Sequence, residues 1–396
     1  MSFIGDLFAH SMRELAGLKV CFLAGTLGQG GAERQLYYML VSLRDAGAVP
    51  RVLCLTEGEY WQERIEALGV RVDWVGQGKS PIGRLARIIR QLKRDPPDIL
   101  QSQHFFANSY VAAAARILRL HDIGAIRGDA FEELESNPGL RGWLSLRLPR
   151  ALAANSQTAI ENALTLGVAR HRLSFLPNAV DTTMFTEGQR QPGKPIRVLT
   201  VGSLVPVKRI DRFLRTISRV SGRTSMPVEG LIVGDGPLRA ELESQARELG
   251  LAEDKVRFCG TVPDAGAWYR EADIMLLTSD REGTPNVVLE AMAFGLPIVA
   301  TRVGGLPAVV FERETGYLAG REDEAALADA VLNLVQDREK RIAFGKRGRA
   351  FVQRNHTLPQ LTASLRQLYN AVLPPEWVPR RARVGSHLRN IYRSAP

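Results

Sequence analysis

Glu282 and Glu290 stand eight positions apart in Ser279-Asp280-Arg281-Glu282-Gly283-Thr284-Pro285-Asn286-Val287-Val288-Leu289-Glu290, with a helix start between them. Thr284 reads as the N-cap and Pro285 as the first helical residue. Asn286 and Val287 then carry backbone N–H groups that no helical carbonyl can reach. Such a terminus attracts anions, phosphate above all. Glu290 falls one turn deeper on the face of Asn286, where a carboxylate suits the hydroxyls of a ribose diol better than a phosphate. Glu282, in the loop before the helix, is placed to face a second polyol such as a hexose. Phosphate between two hydroxyl-bearing rings describes a nucleotide-sugar. The competing reading of this segment alone is an ordinary helix start with a solvated glutamate.

Three further turns have the composition of ligand-binding loops. Gly25-Thr26-Leu27-Gly28-Gln29-Gly30-Gly31-Ala32-Glu33-Arg34 leads from a strand into a helix, and glycines let backbone approach a ligand closely. It is not a dinucleotide fingerprint: counted from Gly28, the last glycine position holds Glu33. Glu57 is the acid nearest the place of a ribose-binding carboxylate in a dehydrogenase, a reading that the failed fingerprint disfavours; a phosphate P-loop is absent too. Gly202-Ser203-Leu204-Val205-Pro206-Val207-Lys208-Arg209 follows a second strand, and Lys208 and Arg209 suit a diphosphate as a point charge and a planar fork. Val233-Gly234-Asp235-Gly236-Pro237 is a third strand-to-helix turn.

These turns need parallel sheets to hold them, and the pattern supplies two. Strands read as Lys19–Ala24, Arg51–Leu55, Val70–Val75, Asp98–Gln101, Ile123–Ile126 and Leu152–Ala154, with Leu173–Leu176 running into Pro177-Asn178-Ala179-Val180-Asp181 as a hinge. After a polar linker, Glu187–Pro195, they resume as Arg197–Val201, Glu229–Val233, Val256–Cys259, Ile274–Leu277, Ile298–Thr301 and Gly316–Leu318. Helical patterns such as Ala32–Leu43, Ala107–Leu118, Ile210–Val220, Leu238–Leu249 and Asn286–Phe294 alternate with them. The expected organisation is two Rossmann-like α/β domains, residues 1–186 and 187–373, followed by a basic tail, 374–396. Ligands of such sheets bind beyond the strands' carboxyl ends, so two facing domains imply a cleft between them.

The 396 residues suffice for two cores. Cys21, Cys54 and Cys259 lie in apolar runs, without metal-ligand or disulfide spacing, which fits a reducing compartment. No apolar run is long enough to cross a membrane. Net charge is +10, with 52 basic against 42 acidic residues, which suits an anionic partner. Aromatic content of 7% and the lack of recognised reading motifs exclude nucleic acid as the favoured one. Phe3, Ile4, Leu7, Phe8, Met12 and Leu15 would share one helical face, resting on a membrane or on the protein itself.

Taken in order, the turns resemble the retaining glycosyltransferases of family four, with their GT-B double-Rossmann architecture. The matching pieces are Gly30 to Arg34, Pro177 to Asp181, Gly202 to Lys208, Gly234 to Pro237 and Glu282 to Glu290, continued by Ala291 to Thr301 and Val303-Gly304-Gly305. The resemblance implies that Glu290 binds the donor ribose and Glu282 faces the donor sugar. It makes Lys208, with Arg209, the diphosphate clamp, and sets Gly202, Ser203, Gly234 and Gly236 around the donor. Gly283, Thr284, Pro285, Asn286 and Val287 would surround the distal phosphate; Gly260, Thr261 and Val262 would lie by the base. Gly30 and Gly31 would approach donor phosphates or an anionic acceptor. Two positions depart from the family pattern. Ser203 stands where many relatives have arginine, so one clamp charge falls to Arg209. Arg127 stands at the end of the fifth strand where many have histidine, suited to a phosphate or carboxylate on the acceptor. His104 either takes part in catalysis in its place or is a structural hydrogen-bonding residue.

The implied reaction needs a diphosphate leaving group stabilised while a sugar cation develops. Lys208, Arg209 and a helix terminus would do this without metal or cofactor. The expected enzyme is a hexosyltransferase using a nucleotide-sugar, a UDP-sugar first. It would transfer to a saccharide or lipid-linked acceptor in bacterial surface polysaccharide, lipopolysaccharide or glycolipid assembly. A sugar-nucleotide epimerase of the same fold and a non-catalytic nucleotide-sugar-binding partner are the alternatives. A phosphorylase would need a pyridoxal-lysine motif, which is absent. Arg141 to Arg150 mixes basic and apolar residues, and the tail from Glu376 to Pro396 holds five arginines against one glutamate. Both suit either an anionic membrane carrying the acceptor or packing on the first domain. The expected location is the cytoplasm, including the inner face of the cell membrane.

Overall fold

The computed structural model describes residues 14–182 except 77 and 79, together with 195–251 and 254–378. Most of the N-terminal apolar face, nearly all of the Glu187–Pro195 linker and the tail beyond Val378 lie outside the described residues.

Among the described residues, thirteen strands build two all-parallel sheets. The first holds β1 (Lys19–Ala24), β2 (Val49–Cys54), β3 (Arg71–Trp74), β4 (Ile99–Ser102), β5 (His121–Ile126), β6 (Ala151–Ala154) and β7 (Leu173–Phe175). Its order is β3-β2-β1-β4-β5-β6-β7. The second holds β8 (Ile196–Val201), β9 (Val228–Val233), β10 (Val256–Gly260), β11 (Ile274–Leu277), β12 (Ile298–Thr301) and β13 (Gly316–Ala319), in the order β10-β9-β8-β11-β12-β13. Each order reverses once, between β1 and β4 and between β8 and β11, and a crevice opens at such a point at the carboxyl ends.

Both faces of each sheet are covered, so its strands read as unbroken apolar runs. Along β11, Met275 and Leu277 join one core cluster while Ile274 and Leu276 join the other, as alternation in a strand requires. Cys21, Cys54 and Cys259 are free thiols, and burial pushes that of Cys21 up to about 12.

The chain divides differently from the expected boundaries at 186/187 and 373/374. One compact unit comprises the described chain up to Ala154, Ile160–Pro177 and the chain from Leu358; the other comprises Asn155–Ala159 and Asn178–Thr357. The helix Leu358–Val372 therefore belongs with the first sheet. It packs on the helix Gly31–Asp45, buries Leu361, Leu365, Leu368 and Tyr369, and Tyr369 donates to Gln101 Oε1 at 2.8 Å.

Candidate functional site

In the second unit, the turns after β8, β9 and β10 interlock through glycines. Gly234 has φ +137, and a Cβ there would lie 2.0 Å from the Gly202 carbonyl oxygen; one on Gly236 would lie 2.6 Å from that of Leu204. Gly234 N also donates to the Gly260 carbonyl at 2.8 Å, so the basic turn is seated on two neighbouring turns. Across the β8/β11 reversal, Asp280 N donates to Val207 O at 2.9 Å. Thr278 Oγ1 donates to the carbonyls of Lys208 and Arg209 at 3.2 and 2.9 Å.

That stitching brings Lys208 to Glu282: Nζ lies 2.7 Å from Oε1. Ser279, fully buried, donates from Oγ to the same oxygen at 2.6 Å. A lysine ammonium has three donors, and Glu282 takes one of them. Backbone packing fixes the loop further. Gly305 N donates to Gly283 O at 2.9 Å, and a Cβ on Gly304 would fall 1.6 Å from Glu282 O.

The next helix runs Asn286–Ala293, with Pro285 in the cap position and no side-chain cap. This corrects the expected N-cap: Thr284 instead donates from Oγ1 to Asn155 O at 2.7 Å, so its hydroxyl is engaged away from the helix N–H groups. Asn178 ties the helix start in place, donating to Thr284 O at 2.7 Å and Asn286 Oδ1 at 2.8 Å. Glu290 is only 4% exposed and accepts from the Tyr269 hydroxyl at 3.0 Å. Thr261 is exposed and Val262 half-buried, directly after β10.

Arg209 has carboxylate partners of its own. Its Nε and Nη2 bond Asp211 at 3.0 Å, and Nη1 lies 3.2 Å from Asp280. Hydrogen bonds to Asp211, despite burial, and to Asp280 hold its guanidinium above the ordinary arginine range. Its fork is thus occupied by two carboxylates, whereas Lys208 pairs with Glu282. Ser203 is exposed.

In the first unit the glycine-rich turn sits at the β1/β4 reversal. His104 Nδ1 accepts from Gly25 N at 3.0 Å, and Nε2 lies 2.9 Å from Glu33 Oε1. A backbone N–H can only donate, so in the neutral ring the proton sits on Nε2 and is given to Glu33. Both nitrogens serve the turn, which makes His104 a shaping residue there. Glu33 in turn lies against Gly30, where a Cβ would meet Oε2 at 2.1 Å. The second brace is Glu59, which accepts from Thr26 Oγ1 at 2.7 Å and from Leu27 N; Glu57 is exposed. Arg127 donates to Gln103 Oε1 at 3.3 Å, and burial pushes its guanidinium down to about 10. Gly30 is half-buried and Gly31 exposed. His104, Arg127, Gly30 and Gly31 thus belong to the first unit, and the remaining named residues to the second.

Asn178, Ser279 and Thr278 are the supporting residues that sequence reasoning left without a role. Asn178 and Ser279 lay inside noted motifs, and Ser279 meets Glu282 within its own loop, whereas Thr278 shows its partners only once β8 and β11 are neighbours.

Two family models match: Glycosyltransferase Family 4 over residues 29–184 and Glycosyl transferases group 1 over residues 195–337. The chain is similar to N-acetyl-alpha-D-glucosaminyl L-malate synthase of Bacillus anthracis, 26% identical over 71% of this chain and 76% of that one. It also resembles D-inositol 3-phosphate glycosyltransferase of Corynebacterium efficiens, 31% identical over 53% of this chain; there it spans about half (54%) of the relative's length. Among solved structures, Anabaena HepE in complex with UDP-glucose matches with a TM-score of 0.79 at 20% identity, over 89% of this chain and 100% of that one. The last match speaks to the fold, which is GT-B.

Proposed function

The chain belongs to glycosyltransferase family four, and from that premise we propose that it transfers a hexose, with retention of anomeric configuration, from a nucleotide-sugar to a saccharide or lipid-linked hydroxyl. The observation that carries this is Lys208 held 2.7 Å from Glu282, on the loop leading to the helix that bears Glu290. In this reading Glu290 binds ribose, Glu282 orients the donor sugar, and Lys208 with the Asn286–Val287 helix start takes the diphosphate as charge develops on it. The acceptor attacks the face the leaving group vacates and gives its proton to the departing phosphate oxygen. No metal takes part in this proposal.

The test is a thermal-shift panel of UDP, GDP, ADP and CDP and their sugars, with magnesium or with chelator. A ligand at a hundredfold excess over its Kd stabilises by about 2.7 kcal/mol. One nucleotide family should raise Tm equally in both conditions, and Glu290→Ala should abolish the rise. A shift that needs magnesium sinks metal independence; no shift with any nucleotide favours a non-catalytic partner.

For the acceptor, a membrane-borne species is supported by Phe131, Leu140 and Trp143, 42%, 69% and 53% exposed, with Arg141 and Arg150 exposed beside them in sequence. Among the described residues no helix is long and apolar enough to cross a membrane, so attachment would be at the surface. The protein should sediment with anionic vesicles at low salt and less so after Trp143→Glu; failure to sediment discards the lipid-linked acceptor. The relatives' names, an L-malate synthase and an inositol 3-phosphate glycosyltransferase, favour a second reading, a small anionic acceptor. Transfer to a soluble carboxylate or phosphate ester would establish it.

A further inference from the structure

Tyr269 lies on the helix Gly266–Glu271, 2% exposed, and its ring stacks on Phe294 with centroids 5.3 Å apart and planes at 23°. Phe294 directly follows the helix that carries Glu290, so ring and carboxylate are referred to one element. The Tyr269 hydroxyl donates to Glu290 Oε2 at 3.0 Å. Around Glu290, Val288, Leu289, Ala291, Met292 and Ala293 are all buried and apolar, and packing alone gives no reason for a carboxylate there. The last torsion of a glutamate is broad and roughly two-fold, so an untethered carboxylate spins through many orientations.

We propose that Tyr269 is a positioning residue for ribose recognition: its hydroxyl holds one Glu290 oxygen so that the other meets the nucleotide diol already oriented. This rests on the assignment of the ribose to Glu290. The hydroxyl does not touch the nucleotide, and acts by removing carboxylate orientations that accept from one ribose hydroxyl or from neither.

The experiment is a calorimetric titration with UDP and with 2′,3′-dideoxy-UDP, or the same pair of another base if the nucleotide panel selects one. Wild type, Tyr269→Phe and Glu290→Ala are compared. Wild type should prefer the ribonucleotide by on the order of 10- to 100-fold, as expected for hydrogen bonds to a charged group. Phenylalanine keeps the ring, its burial and its stack, and should shrink that ratio by about threefold or more, coupling the phenol to the ribose hydroxyls across the cycle. Donor KM should rise with kcat near wild type. Phe294→Leu, which loosens the ring and leaves the hydroxyl, should shrink the ratio less. If Tyr269→Phe weakens both ligands equally, the tyrosine is merely structural and the proposal is overturned. If Glu290→Ala brings the ratio to about one while Tyr269→Phe leaves it at the wild-type value, only the role of Tyr269 fails. If Glu290→Ala itself leaves the ratio unchanged, the ribose assignment fails and takes the proposal with it.

Discussion

Lys208→Ala is expected to lower kcat/KM by about 10²–10³-fold, the usual cost of removing one preorganised donor from a developing charge. The loss should sit mainly in kcat, because diphosphate charge is greatest as the bond to the sugar breaks. Arg209 is poorly placed to compensate, since Asp211 and Asp280 occupy its fork. Half-exposed Lys208 can go without opening a cavity, so Tm should change little. Steady-state kinetics on a folded variant decide the matter; turnover within a few-fold of wild type removes Lys208 from the clamp.

Gly304→Ala should be as damaging although it removes no functional group. Residue 304 has φ +50, and a Cβ there would lie 1.6 Å from Glu282 O and 2.7 Å from its carbonyl carbon. Alanine in that backbone conformation costs about 1–2 kcal/mol on its own. The contact is with backbone, so the loop bearing Glu282 must be displaced. A shift of about 1 Å at a reacting group costs on the order of 10²-fold in rate, and that is the loss expected. Nucleotide affinity should fall much less, because Glu290 stands on the helix beyond the displaced loop. Parallel measurement of transfer and nucleotide binding checks this; equal losses in both would mean that the variant disrupts the whole unit.

The sheets were legible because strands buried on both faces are continuous apolar runs that end where glycines begin. β1, β11 and β12 fall on their expected residues. The basic turn and the Glu282–Glu290 segment were legible for a similar reason, as local signals at strand ends. What escaped depends on contacts distant in sequence. Nothing near Tyr269 points to Glu290, and nothing near Thr284 says that its hydroxyl turns to Asn155 rather than capping its own helix. The occupied fork of Arg209 was half visible, since Asp211 is two residues away while Asp280 arrives with another strand. The amphipathic pattern of Leu358–Val372 marks a helix without saying which core it covers.

That last helix also orders the events of synthesis. The first sheet's strands are complete once Phe175 is made, but the helix that covers Gly31–Asp45 ends at Val372. At about 5–20 residues per second, some ten to forty seconds separate the two. Nearly all of the second unit, Asn178–Thr357, leaves the ribosome within that interval. A nascent chain therefore presents the apolar side of its glycine-loop helix until Leu358–Val372 has emerged. Ribosome stalling or premature termination soon after Thr357 would yield a protein with a finished second unit and an unsealed first one, a natural client for chaperones.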